Sequence, residues 1–109
     1  KLDIEKMQEA AKYFEGEHDF KAFKASGTSS KSSVRIIYEA KVYNVDEKIY
    51  IELTGNGFLY KMVRNIVGTL IEIGLGKPYD IDKIFAARNR AAAGPTAPAS
   101  GLYFIRADY

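Results

Sequence analysis

The residue best placed to do chemistry is Arg64, in the stretch FLYKMVRN (58–65), where one guanidinium stands among apolar neighbours. A guanidinium is a rigid fork of N–H donors that fits a carboxylate or a phosphate. On a helix its neighbours three and four residues away would be Tyr60, Lys61, Val67 and Gly68, none of which carries a negative charge. A carboxylate partner must come from elsewhere. Gly68, one turn on along the same side, costs a helix about 1 kcal/mol relative to alanine, a loss that is reasonable where something approaches closely. The competing interpretation is an arginine whose stem lies over the core edge and whose charge is solvated. Tyr60 lies near Arg64 around the same helix and could line a cleft or join the core.

Other chemistries have little to work with. There is no cysteine, hence no disulfide framework and no thiolate metal site, which permits a reducing compartment. His18 is the only histidine, a poor start for a His-rich metal site or a Ser-His-Asp triad, and fits a structural or surface role better than that of a base. The glycines of GNG (55–57) and GLG (74–76) lack the spacing and strand-to-helix setting of phosphate-binding loops and are turn glycines. Sixteen basic against 14 acidic residues give a net charge of +2, too small to announce a nucleic-acid binder by itself. No segment has the roughly 18 uninterrupted apolar residues of a membrane span, so no membrane association is expected. The chain starts without methionine, directly in a helical pattern, which hints at a piece of something longer.

A length of 109 residues suits one domain with one modest core, and 47% hydrophobic with 28% charged residues is a globular balance. In LDIEKMQEAAKYFEG, Ile4, Met7, Ala11 and Phe14 recur at helical spacing, with Asp3 as N-cap and Gly16 as the stop. Phe20 and Phe23 predict a short helical turn that pins two rings into the core. GTSSKSS (27–33) is a polar loop. From Val34 to Asn44, Val34, Ile36, Tyr38, Ala40 and Val42 face one way while Arg35, Glu39 and Lys41 face the other. Ile49, Ile51 and Leu53 alternate likewise with Lys48, Tyr50, Glu52 and Thr54, predicting an antiparallel hairpin with one wet face.

Leu59, Met62, Val63, Ile66, Val67, Leu70 and Ile71 then form one helical stripe. GLGKPYD ends that helix, and Ile81, Ile84 and Phe85 mark a short second one. AAAGPTAPASG (91–101) is a proline-broken loop, and LYFIRADY a last strand whose apolar run suits a central position. Helix, strand, strand, helix, helix, strand fits an α+β sandwich, helices on an antiparallel sheet.

Taken together, GEHDFKAF, GFLYKMVRNIVGTLIEIGLGK and AGPTAPASGLYF resemble the C-terminal half of the TruA family, tRNA pseudouridine synthase A, from about Asp3 to Tyr109. The resemblance implies an RRM-like half of the pseudouridine synthase catalytic fold whose sheet continues into an N-terminal half. It also implies an isomerase that converts uridine to pseudouridine in the tRNA anticodon stem-loop, cytoplasmic, without metal or organic cofactor, as a homodimer with tRNA lying across both subunits. In that family an aspartate in a GRTD.GVHA-like stretch attacks the target nucleotide. No such stretch occurs in these residues, so the chain alone is expected to be inactive.

The family's MVRN arginine falls on Arg64, which the resemblance assigns as the partner of that absent nucleophile. Leu102 takes the place of the leucine expected to pack against the uracil, where the alternative is a plain core leucine. Arg35, Lys41, Arg88 and Arg90 are candidate contacts to the tRNA backbone, each of which could equally be a solvated charge. Where the family usually has Asp-Arg before the AGPTAPA loop, this chain has Asn89-Arg90. The rival interpretations are a non-catalytic RNA-binding module and a dimerisation module. An exposed sheet edge is expected, and with it self-association.

Overall fold

The computed structural model describes residues 2–25 and 32–98, and the backbone of 103–107. Helix α1 (Ile4–Lys12) begins where expected: the Asp3 side chain accepts from the Lys6 amide at 3.1 Å, with Glu5 in the first turn and Lys12 in the last complementing the helix dipole. It stops short of Gly16. Instead Gly16, at φ 101°, turns the chain into a strand the periodicity did not reveal, β1 (Gly16–Asp19), which pairs antiparallel with the start of β2 (Val34–Val45). Four residues, two exposed and two half-buried, are too few to show an alternation. The expected helical turn is present as a 3-10 turn at Lys21–Phe23, and Phe20 and Phe23 are fully buried.

Strand β2 pairs antiparallel with β3 (Lys48–Gly55), but its two faces are not those that simple alternation assigns. The register slips between Ile37 and Glu39, and this bulge flips the chain by one residue. Ile37 is therefore buried together with Ala40 and Val42, while Tyr38 and Val34 are exposed. Beyond the end of β1, the free edge of β2 is covered by α1 and the turn after it: the Val42 amide donates to Gln8 Oε1 of the helix and the Ala40 amide to Glu15 Oε2 of the turn.

Helix α2 (Met62–Gly74) starts later than its apolar stripe, because Lys61 takes a left-handed conformation at φ 61°. Leu59 is buried but precedes the helix, and Arg64 sits in the first turn. Helix α3 (Ile81–Ala87) is capped by Asp80, and a second 3-10 turn follows at Arg90–Ala92. Strand β4 (Tyr103–Ala107) then joins the sheet parallel to β3, an arrangement that needs a long connection such as the one through α2 and α3, giving the order β1-β2-β3-β4. The α+β class holds, with three strands antiparallel. Instead of the expected central position, β4 lies at one edge of the described sheet, with β1 at the other.

One apolar cluster joins the inner face of the sheet (Ile37, Ala40, Val42, Ile51, Leu53) to Met7 of α1, Ile66, Val67 and Leu70 of α2, and Ile84 of α3. Phe14, Phe20 and Phe23 of this cluster meet one another and the partly buried Phe85 edge to face. His18 stacks on Phe85 at 4.4 Å, with Nε2 2.8 Å from the Glu15 carbonyl, a structural role. The opposite sheet face carries Tyr43 stacked on Tyr50, and the Tyr43 hydroxyl donates to Glu52, which holds its pKa above the ordinary value.

Candidate functional site

The start of α2 is electropositive by construction. Lys61 provides no side-chain cap and the first turn contains no acid, so the helix dipole acts in the same direction as Arg64. Arg64 is half-buried and its Nε donates to the Ala97 carbonyl at 2.9 Å. In return the Ala97 amide donates to the Arg64 carbonyl at 3.0 Å. Neither Nη group has a partner among the described residues, and no carboxylate there pairs with Arg64.

The gap at Gly68 is filled by this chain's own loop. A Cβ on Gly68 would lie 1.6 Å from the Pro95 carbonyl oxygen. The close approach inferred from the sequence is therefore that of residues 94–97, which crosses α2 beside Arg64.

Four polar groups fasten this loop. Asn65 is 1% exposed, yet its side chain is satisfied: Nδ2 donates to the Phe23 carbonyl at 2.7 Å, and Oδ1 accepts from Thr96 Oγ1 at 2.5 Å and from Arg90 Nη2 at 3.0 Å. Arg90 also donates through Nη1 to the Gly94 carbonyl at 2.7 Å and through Nη2 to Thr96 Oγ1 at 3.1 Å. Thr69 receives the Gly94 amide at 2.9 Å. Burial pushes the Arg90 guanidinium below its ordinary pKa, with Tyr79 opposing the shift. Sequence reasoning missed Asn65, Thr69 and Thr96. The available signal was Asn65 and Thr69, two polar residues one turn apart on the buried side of an apolar helix.

The other candidates are dispersed. Tyr60 is 67% exposed and stands before α2, not on it, with its carbonyl accepting from the Ala25 amide and Lys61 Nζ 5.6 Å from its ring centre. Leu102 lies outside the described residues. Arg35 donates to the Ser32 and Val34 carbonyls and lines a cavity of about 360 Å³ with Asn56 and Phe58. Lys41 pairs with Glu39 at 3.5 Å, both exposed. Arg88, exposed, pairs with Asp19 at 3.0 Å, and lines a cavity of about 380 Å³ with Arg90, Lys21 and Lys24. Arg90 makes its hydrogen bonds inside the protein, so an RNA phosphate would have to compete with them.

A family model described as tRNA pseudouridine synthase matches residues 10–109. The chain is 51% identical to tRNA pseudouridine synthase A of Acetivibrio thermocellus, covering 100% of this chain and 46% of that protein. It is 52% identical to the protein of the same name from Ruminiclostridium cellulolyticum, over 99% of this chain and 45% of that one. The corresponding protein of Bacillus licheniformis is 47% identical over 99% of this chain and 44% of its own length. The chain thus spans less than half the length of these curated relatives.

Proposed function

This chain belongs to the tRNA pseudouridine synthase family, and we propose that it is the C-terminal half of an enzyme that isomerises uridine to pseudouridine in the tRNA anticodon stem-loop. In this account an aspartate of the N-terminal half attacks the target nucleotide, the glycosidic bond breaks, and the base turns and rejoins through carbon; the aspartate is released, the carbon gives up its proton and the freed ring nitrogen takes one up. No group is gained or lost overall, so the chemistry calls for no cofactor. Arg64 holds the aspartate. A guanidinium beside a carboxylate lowers its pKa by about 1–3 units, keeping it ionised and oriented as a nucleophile must be.

The observation that carries this proposal is the state of Arg64. Its Nε is given to the Ala97 carbonyl while both Nη groups lack a described partner, at a helix start that already favours an anion. A carboxylate arriving from the other half would dock end-on against the Nη pair. Leu102 would replace the stacking lost by the flipped base, with Tyr60 on the cleft rim, and Arg35, Lys41 and Arg88 would meet the RNA backbone, Arg90 only by giving up internal bonds.

The place of β4 at an edge of the described sheet supports a sheet that continues into the missing half, since an apolar strand gains most when paired on both sides. The parent enzyme would then be a cytoplasmic homodimer, and this chain alone inactive. The test is pseudouridine formation in an anticodon stem-loop RNA. The full-length protein should turn over, and this chain alone should not. Failure of the full-length protein would favour a non-catalytic RNA-binding or dimerisation module.

A further inference from the structure

We propose that Asn65, Arg90 and Thr96 are positioning residues that lock loop 94–97 onto α2, so that Arg64 presents its two Nη groups as a fixed fork. This inference rests on the synthase assignment above. An arginine side chain carries about 2 kcal/mol of rotamer entropy, so a guanidinium that must meet a carboxylate in one orientation needs an anchor. The anchor is the Ala97 carbonyl on Nε, and it is only as fixed as the loop that carries it.

That loop is held at every step. Gly94 is gripped through its amide by Thr69 and through its carbonyl by Arg90, Pro95 rests where Gly68 has no side chain, Thr96 bonds Asn65, and Ala97 bonds Arg64. Thr96 is exposed, yet its hydroxyl is turned inward to Asn65 Oδ1. Arg90, the most versatile cation near the site, uses both Nη groups on this clamp. Asn65 directly follows Arg64, so the helix residue that holds the loop and the one that uses it are covalent neighbours. A slip of the loop would carry the Ala97 carbonyl away from Nε. A misplacement of about 1 Å can cost on the order of a hundredfold in rate.

The experiment uses the full-length enzyme and an anticodon stem-loop RNA. Thr96→Val keeps the shape of the side chain and removes the hydroxyl, Thr96→Ser returns it, and Arg90→Lys keeps the charge but not the geometry. Thr96→Val and Arg90→Lys should each lower kcat about tenfold with RNA affinity within about twofold of wild type. Thr96→Ser should restore most of the lost rate, and the Ala97 amide should exchange its hydrogen faster in Thr96→Val.

Three outcomes would overturn the inference. One is weaker RNA binding at unchanged kcat, which would make these residues phosphate contacts. Another is a lower Tm with unchanged kcat per folded molecule, which would make the clamp merely structural. The third is wild-type behaviour of Thr96→Val. A wild-type enzyme that makes no pseudouridine would instead remove the synthase assignment itself, and the inference with it.

Discussion

Arg64 and Ala97 hold each other by two hydrogen bonds, Nε to carbonyl at 2.9 Å and amide to carbonyl at 3.0 Å. The cation on α2 is thus not free in solvent along its whole length, since Nε is bound, and it pairs with no acid among the described residues. It is half-used, with Nε on a loop and its Nη edge unclaimed among the described residues.

Replacing that fork should harm activity far more than folding. Arg64→Lys keeps a charge but cannot serve Ala97 and a carboxylate at once, so kcat of the full-length enzyme should fall at least about tenfold. Because only one neutral-acceptor hydrogen bond is lost, urea denaturation of this chain should show a change within about 1–2 kcal/mol. A variant with full kcat would separate Arg64 from the reaction.

Gly68→Ala sets two effects against each other. Alanine improves helix propensity by about 1 kcal/mol, but its Cβ would meet the Pro95 carbonyl oxygen at 1.6 Å. Backbone contact at that distance forces the loop off the helix, and overpacking typically costs about 1–3 kcal/mol. Denaturant melts should therefore show net destabilisation, together with faster exchange of the Ala97 amide. A neutral or stabilised variant would mean that the loop does not rest there.

The Tyr79 hydroxyl donates to Glu72 Oε1 at 2.8 Å, and this bond holds the Tyr79 pKa above its ordinary 10.0. A proton held more tightly in the folded state stabilises the protein fully below the unfolded pKa, and the contribution disappears as pH rises through the folded pKa. The stability difference between wild type and Tyr79→Phe should be constant from neutral pH up to about 10 and shrink above it. Equilibrium unfolding across that range reads the trend, and a difference that widens with pH has the wrong sign.

Self-association should occur through the β4 side of the sheet. On the other side the short β1 and the bonds from Gln8 and Glu15 cover β2, whereas β4 lies at the edge of the described sheet with no described strand beyond it. Light scattering on the isolated chain should show mass rising with concentration and falling when the N-terminal half is added. A strict monomer at high concentration would contradict the expectation.

How far the sequence reveals this molecule depends on whether a signal is local. The stripe of α2 from Met62 onward, the Asp3 cap and the Phe20–Phe23 turn follow from short-range signals and are found in place, whereas Leu59 falls before the helix. The faces of β2 are not, because the bulge after Ile37 is set by pairing with β3, and every residue before it changes sides. Strand β1 is hidden for the same reason, being defined by its partner. At the site, Arg64 stands out as a cation without a local acid, and Gly68 as a cleared space. What fills that space is a loop about 27 residues downstream, and the inward bonds of Asn65, Arg90 and Thr96 exist only once the loop has folded back.

The most direct test of the account is reconstitution. This chain, mixed with a separately made N-terminal half of its parent, should convert uridine to pseudouridine in an anticodon stem-loop RNA, as read by mass spectrometry. The same mixture carrying Arg64→Ala should still associate but form almost no product. Product from this chain alone, or an undiminished rate with Arg64→Ala, would contradict the claim that Arg64 exists to hold a carboxylate supplied by the other half.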